Sequence, residues 1–293
     1  AEATLTGLIL FSVVAIGVAS VLDGGPESDP LPALGSEGSR FSTAAVTAVA
    51  VGQRRGVVAY PSPPRVKKAQ RYARSNDGLL SFAVIDDRNR LRGFEGNRKY
   101  VSASVVKVML LAAELRRLRR EGLDLDPLTS QVLEAMITVS DNNAADEIYY
   151  RVGDHGLNEV ARKSGMDDFS VSGYWANARI TAAGMARFMR GLGQNLPGVH
   201  GGWAKGLLAS IADDQSWGIP EALGHEWRVF FKGGWRGTGL GEMVHQVALL
   251  RHRNGTKSSL AVLSDGQESQ GEAMENVRRI ATVLYGEPPA RGS

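Results

Sequence analysis

The stretch Ser104-Val105-Val106-Lys107 sets a hydroxyl and an amine three residues apart, at the head of an apolar run that continues to Ala113. On a helix those two side chains share one face. A serine that begins such a helix also sits where unpaired backbone N–H groups and the positive end of the dipole favour developing negative charge. Two later segments supply the partners this pair needs. Ser140-Asp141-Asn142 follows the apolar Met136-Ile137-Thr138-Val139, and Lys232-Gly233-Gly234 closes the strand-like Trp227-Arg228-Val229-Phe230-Phe231. The set is a plan for acyl transfer through a serine ester. Lys107 can act as its base if burial against Val105, Val106 and Val108, and the ammonium of Lys232, lower its pKa.

The order and setting of these segments resemble the penicillin-recognising serine hydrolases, most closely the class A β-lactamases, over about Leu79 to Tyr285. One S-x-x-K match is expected about once by chance in a chain of this length; the ordered set is far more specific. The resemblance implies that Ser104 is the nucleophile and that Lys107 and Ser140 are its catalytic partners, Ser140 relaying a proton to the leaving nitrogen. Asn142 would hold Lys107 and a substrate amide. Lys232 would line the cleft from the sheet side and attract an anionic substrate, with Gly233 and Gly234 allowing close approach to the strand edge. The backbone N–H groups of Ser104 and Trp235 would form the oxyanion hole. Asp141 reads as structural, since Ser, Asp and Asn all cap helices well.

Two departures bear on activity. Class A β-lactamases carry a Glu, on a long loop after the Ser-Asp-Asn helix, that activates the water clearing the acyl-enzyme. The corresponding region here, Gly165 to Thr181, is short and has no Glu; Asp167 or Asp168 can substitute only if the loop folds inward. Gly233 stands where the family usually has a Thr or Ser that binds the substrate carboxylate. The Arg expected on the next strand is not evident, Glu242 standing roughly in its place, with Arg236 as the nearest compensating cation. The stretch between Ser104 and Ser140 is also more compact than the family usually shows.

Bulk properties are those of an ordinary globular protein: 293 residues, 43% hydrophobic, 22% charged, net charge +3 and no Cys. No basic stripe interleaves with aromatics, so nucleic acid is not an expected partner. Arg116, Arg117, Arg119 and Arg120 read as a solvated helix face. The absence of Cys excludes disulfides and thiol catalysis. His155, His200, His225, His245 and His252 are scattered without metal-ligand spacing, so neither metal nor cofactor is expected, and His245 reads as a satisfied sheet histidine.

Thr4 to Leu22 is uncharged and long enough for a signal-peptide core or a short membrane anchor, with Val18-Ala19-Ser20 offering small residues for cleavage. Export to the periplasm, cell wall or medium is therefore expected, with membrane contact only through this segment. Residues 23–64 read as a Pro/Gly/Ser-rich linker, although Ala44 to Val51 is apolar enough for a strand. Residues 65–288 read as the catalytic domain, a sheet lobe from 65–103 and 216–288 and a helical lobe from 104–215. Strands near both ends with helices between them predict a mixed α/β, two-lobed fold: an antiparallel sheet flanked by N- and C-terminal helices, plus an all-helical lobe. Helices are expected at Val66–Arg74, after Ser104 to near Gly122, and over Leu128–Val139, Asn143–Val152, Leu157–Lys163, Thr181–Leu192, Trp203–Ile211 and Glu272–Leu284. Asp87-Arg88-Asn89 and Asn254-Gly255 read as hairpin turns.

Three functions fit. The leading one is a monomeric β-lactamase-like serine hydrolase acting on a β-lactam amide, or a related peptide or ester, with slow release of acyl-Ser104. The second is a penicillin-binding D-alanyl-D-alanine carboxypeptidase; the third is an exported binding or sensor domain without turnover.

Overall fold

The computed structural model describes residues 60–286. The leader and residues 23–59 of the expected linker lie outside that range. Elements follow in the order α1 (Pro63–Arg74), β1 (Leu79–Ile85), β2 (Leu91–Phe94), β3 (Lys99–Val101), α2 (Lys107–Glu121), α3 (Pro127–Thr138), α4 (Asn142–Lys163), β4 (Arg179–Thr181), α5 (Ala182–Arg190), α6 (Leu192–Asn195), α7 (Gly198–Leu207), α8 (Ile219–Leu223), β5 (Trp227–Thr238), β6 (Gly241–His252), β7 (Lys257–Gln267) and α9 (Gln270–Tyr285). Among the described residues no helix is long and apolar enough to cross a membrane.

The main sheet has the order β2-β1-β7-β6-β5, so strands from the two ends of the domain meet at its centre, antiparallel throughout. Its central strands are buried on both faces, and the two-residue alternation of side chains divides them between two cores. Phe82, Val84, Val244, Leu250, Leu260 and Val262 face one way, onto Val66, Ala69 and Ala73 of α1 and Val277, Ile280 and Leu284 of α9. Ala83, Ile85, Val247, Leu249, Ala261 and Leu263 face the other, into a core shared with the helices from α2 to α7. The mixed α/β fold with its antiparallel sheet is the one the residue pattern implies.

On that second face α5 lies directly against the sheet: Ser259 Oγ donates to Ala186 O at 2.8 Å, and Ala182, Ala183 and Gly184 let the helix come close. Beyond it α2 is buried almost all round. Val105, Val106 and Val108 to Ala112 are shut off from solvent, and so is the side chain of Lys107. Glu114, fully buried, forms a forked pair with Arg117 within α2 (2.8 Å for both bonds) and ties α2 to α4 by a contact to Arg151 at 3.3 Å. Arg117 and Arg120 also meet Glu121 and Glu159, while Arg116 donates to Asn195 O at 2.9 Å, so the arginine face is partly ion-paired and partly tied to the α6 segment.

Several local expectations need correction. Helix α2 begins at Lys107; Ser104 belongs to a 3-10 turn, Ala103–Val106, that runs straight into it. In such a turn residues i and i+3 eclipse, which stacks Ser104 and Lys107 more directly than an α-helix would. Lys232 does not end its strand, because β5 continues through both glycines to Thr238. The helix near Trp203 runs Gly198–Leu207, earlier than expected. The expected pair of helices over 143–152 and 157–163 is borne out: α4 is broken at Gly153, whose φ of 60° and ψ of −172° are not helical. The last residues read as linker are packed: Tyr60 stacks on Trp227 with ring centroids 5.7 Å apart and bonds Tyr285 O, and α1 starts at Pro63.

Candidate active site

Ala103 holds the left-handed region (φ 45°), where an L side chain is costly, and so turns Ser104 out of the preceding strand. Its neighbour Ser102 anchors the turn: the Ser102 N–H donates to Ala178 O at 2.8 Å, and its Oγ reaches Trp175 O and Ala176 O at 3.2 and 3.3 Å. The loop that follows α4 therefore braces the residue before the turn. Ser104 itself is half-buried.

Lys107 lies one turn further in. Its Nζ donates to Ser140 O at 2.6 Å and Asn142 Oδ1 at 2.8 Å, with Ser140 Oγ at 3.2 Å. Ser140 presents both oxygens because it too is left-handed, at φ 59°. Asp141 caps α4, accepting from Ala144 N at 2.7 Å, which confirms its structural reading and points Asn142 into the cleft. The fourth side of Lys107 is the Trp175 ring, with the centroid 4.8 Å from Nζ. Trp175 is buried and fixed by a bond from its Nε1 to Asp146 Oδ1 at 2.6 Å. Burial lowers the Lys107 pKa to about 8, against the opposing fields of Asp141 and Asp146.

Lys232 approaches from the sheet. Its side chain is fully buried, and its one hydrogen bond among the described residues runs to Gly233 O at 3.0 Å. Burial first, then repulsion from Lys107, brings its pKa to about 7. The repulsion is mutual, so the amines titrate as a pair. Lys107, with three oxygens around it, holds its proton more firmly than Lys232 with one.

The glycines after Lys232 have definite causes. A Cβ on Gly234 would lie 2.7 Å from Ser104 N and 2.8 Å from Val105 N, so the strand backs directly onto the nucleophile turn. Covalent geometry then puts the Trp235 N–H within about 6 Å of Ser104 N. A Cβ on Gly233 would sit 3.1 Å from the Trp217 ring, so that indole fills the space a Thr or Ser side chain would need. Across the ladder Gly233 faces Gln246, which is spent on Ile219 N and Trp217 O, while Glu242 lies opposite Gly237. Arg236 donates to Asn177 Oδ1 at 3.2 Å, an exposed bond to the loop that carries Trp175. No cation among the described residues stands in for the missing arginine beside Lys232.

The structure thus brings Lys107, Ser140 and Asn142 together and sets the Lys232–Trp235 strand beside Ser104 and Lys107. What residue reasoning missed are the two indoles, Trp175 over Lys107 and Trp217 against Gly233, and Ser102 as the brace. Asp167 and Asp168 do not fold inward; both are exposed in the turn that ends α4. His245 is the satisfied sheet histidine expected, with Nε2–H donating to Val101 O at 2.9 Å, Nδ1 accepting from Ser264 N, and burial lowering its pKa to about 4. Among the described residues no three metal-ligating side chains converge.

A family model described as the beta-lactamase enzyme family matches residues 127–287, more than half of the chain. The chain belongs to that family. Its fold is that of the class A β-lactamases. A β-lactamase from Chitinophaga pinensis superposes with a TM-score of 0.68 at 15% identity, over 76% of this chain and 98% of that one. The TLA-3 extended-spectrum β-lactamase gives 0.68 at 15%, over 76% and 97%, and an ancestral class A β-lactamase gives 0.63 at 19%, over 75% and 98%. No curated protein matches the chain. For this β-lactamase-family chain, a β-lactamase-like serine hydrolase fold is established, and the family acts on small-molecule substrates.

Proposed function

We propose that Ser104 is acylated by a β-lactam amide and that the acyl-enzyme clears slowly. Ser104 Oγ attacks the lactam carbonyl carbon and its proton passes to neutral Lys107, directly or through Ser140. The C–N bond then breaks, and the proton goes by way of Ser140 Oγ to the leaving nitrogen. A neutral amine has two N–H donors and one lone pair. Ser140 O and Asn142 Oδ1 take the donors, which leaves the lone pair to accept from a hydroxyl. The N–H groups of Ser104 and Trp235 receive the oxyanion, and Lys232 borders the site from the sheet side.

One observation carries the slow second half: the group seated on Lys107 is the Trp175 indole, which cannot accept a proton from water. Asp146, the nearest acid of α4 to that ring, is bound to the indole N–H. The same observation favours a second reading, a penicillin-binding D-alanyl-D-alanine carboxypeptidase, in which a long-lived penicillin adduct is natural. The apolar Thr4–Leu22 segment supports export in either case.

Incubation with a chromogenic cephalosporin, followed by optical turnover and intact mass, tests the proposal with wild type and Ser104→Ala. A stoichiometric burst and an adduct in wild type only are expected. Fast multiple turnover would refute slow clearance, and an adduct that survives Ser104→Ala would refute the nucleophile. Release of D-Ala from a peptidoglycan peptide would favour the second reading.

A further inference from the structure

Away from the cleft, a cavity of about 490 Å³ opens between α5, α7 and the far ends of β6 and β7. Five cations line it: Arg187 and Arg190 from α5, Lys205 from α7, Arg251 from β6 and Lys257 from β7, with no acidic side chain. Among the described residues none of the five forms an ion pair, and Arg190 Nε is buried without a hydrogen-bond partner. The ladder worsens the crowding. Arg228 pairs with Arg251 and Arg251 with Lys257, so three like charges lie side by side across β5, β6 and β7. Like charges directly opposite on a ladder destabilise it. The floor is apolar, formed by buried Ile85 and Leu249.

Charges assembled at such a cost, with a buried donor left open, need a counter-charge. We propose that this cavity binds a compact ligand carrying two or more phosphate groups. Arginine forks match phosphate oxygens bidentately, and several cations around one concavity suit several phosphates better than a single carboxylate. The site is distinct from the cleft: Arg228 lies four residues along β5 from Lys232, roughly 13 Å of strand.

Binding of inorganic pyrophosphate, measured by calorimetry at 0.15 M salt, tests this with wild type, Arg190→Gln/Arg251→Gln, and a charge-matched control, Lys67→Gln/Lys68→Gln on exposed α1. Saturable binding is expected in wild type and control, at least about tenfold weaker in the arginine variant, since a charge-assisted hydrogen bond is worth that factor or more. Vesicles containing cardiolipin, whose headgroup carries two phosphates, form a second arm. Arginine-dependent vesicle binding would identify a lipid headgroup as the phosphate source, and pyrophosphate binding alone a free small molecule. No binding in either arm, or equal loss in the control, would overturn the proposal. Circular dichroism establishes that each variant is folded.

Discussion

If Lys107 is the acylation base, the rate of acylation must follow its free-amine fraction. With a pKa of about 8, about one-hundredth of Lys107 is neutral at pH 6, about one-tenth at pH 7 and half at pH 8. A lysine at its ordinary value of 10.5 would supply about 300-fold less free base at neutral pH. The second-order acylation constant with a chromogenic cephalosporin reports the free enzyme. It should therefore climb about tenfold between pH 6 and pH 7 and level off above pH 8. Should the charged form of Lys232, with its pKa of about 7, also be needed, the rise from pH 6 to pH 7 shrinks to about fivefold and the profile turns down above about pH 8 instead of levelling. Lys107→Met, which keeps length and burial, should acylate about 10²–10⁴-fold more slowly and lose the limb. Stopped-flow burst rates from pH 5 to 10 measure both. A profile flat between pH 6 and pH 8, or a Lys107→Met enzyme that still bursts normally, would refute the assignment.

Trp175→Glu puts a carboxylate over Lys107 at a packing cost of about 3–5 kcal/mol; steady turnover should follow the burst, and its absence in a variant that still acylates would count against the role given to the indole. Gly234→Ala drives a methyl to 2.7 Å from Ser104 N, so labelling of Ser104 should be lost or severely slowed, as intact mass would reveal. Glu114→Ala leaves Arg117 and Arg151 without their buried carboxylate and should lower stability by about 3 kcal/mol, read as a fall of roughly 6–12 °C in Tm. Between about pH 7 and pH 10 the unfolded chain binds protons that folded Lys107 and Lys232 have released, so their contribution to stability rises with pH by up to about 1.4 kcal/mol per pH unit per group. Chemical denaturation of Lys232→Met across that window should show a shallower rise.

Much of the fold was legible because its signals are local. Short apolar runs bounded by turn residues marked the strands, and Asn254-Gly255 marked the last hairpin. The apolar ring from Val105 to Ala113 announced the burial of Lys107. The three motifs were readable for the same reason, each carrying its own setting. What escaped depends on contacts distant in the chain. The pairing of β3 with β4 involves three-residue strands about 80 residues apart. Lys232 was read as a strand end because two glycines follow it, but Gly234 answers to the backbone of Ser104, not to a break in the strand. The seats of Trp175 and Trp217 are set by how a loop and a sheet edge meet. Tyr60 looked like linker because Pro-rich neighbours hide an aromatic whose partners, Trp227 and Tyr285, come far later.

A reason to trust the cleft exists that owes nothing to motifs. Four non-glycine residues among those described hold positive φ: Asn89, Glu95, Ala103 and Ser140. The first two lie in turns beside β2. The other two flank Ser104 and Lys107, and each costs of order 1–3 kcal/mol. At the same place two lysine side chains are wholly buried within each other's field, where most proteins expose such groups. Apolar replacements of similar length would relieve the burial and the repulsion of the lysines, and stability alone supplies no motive to keep the amines. Strain and buried like charges converge on one hydroxyl, which is where chemistry, rather than folding, accounts for their presence.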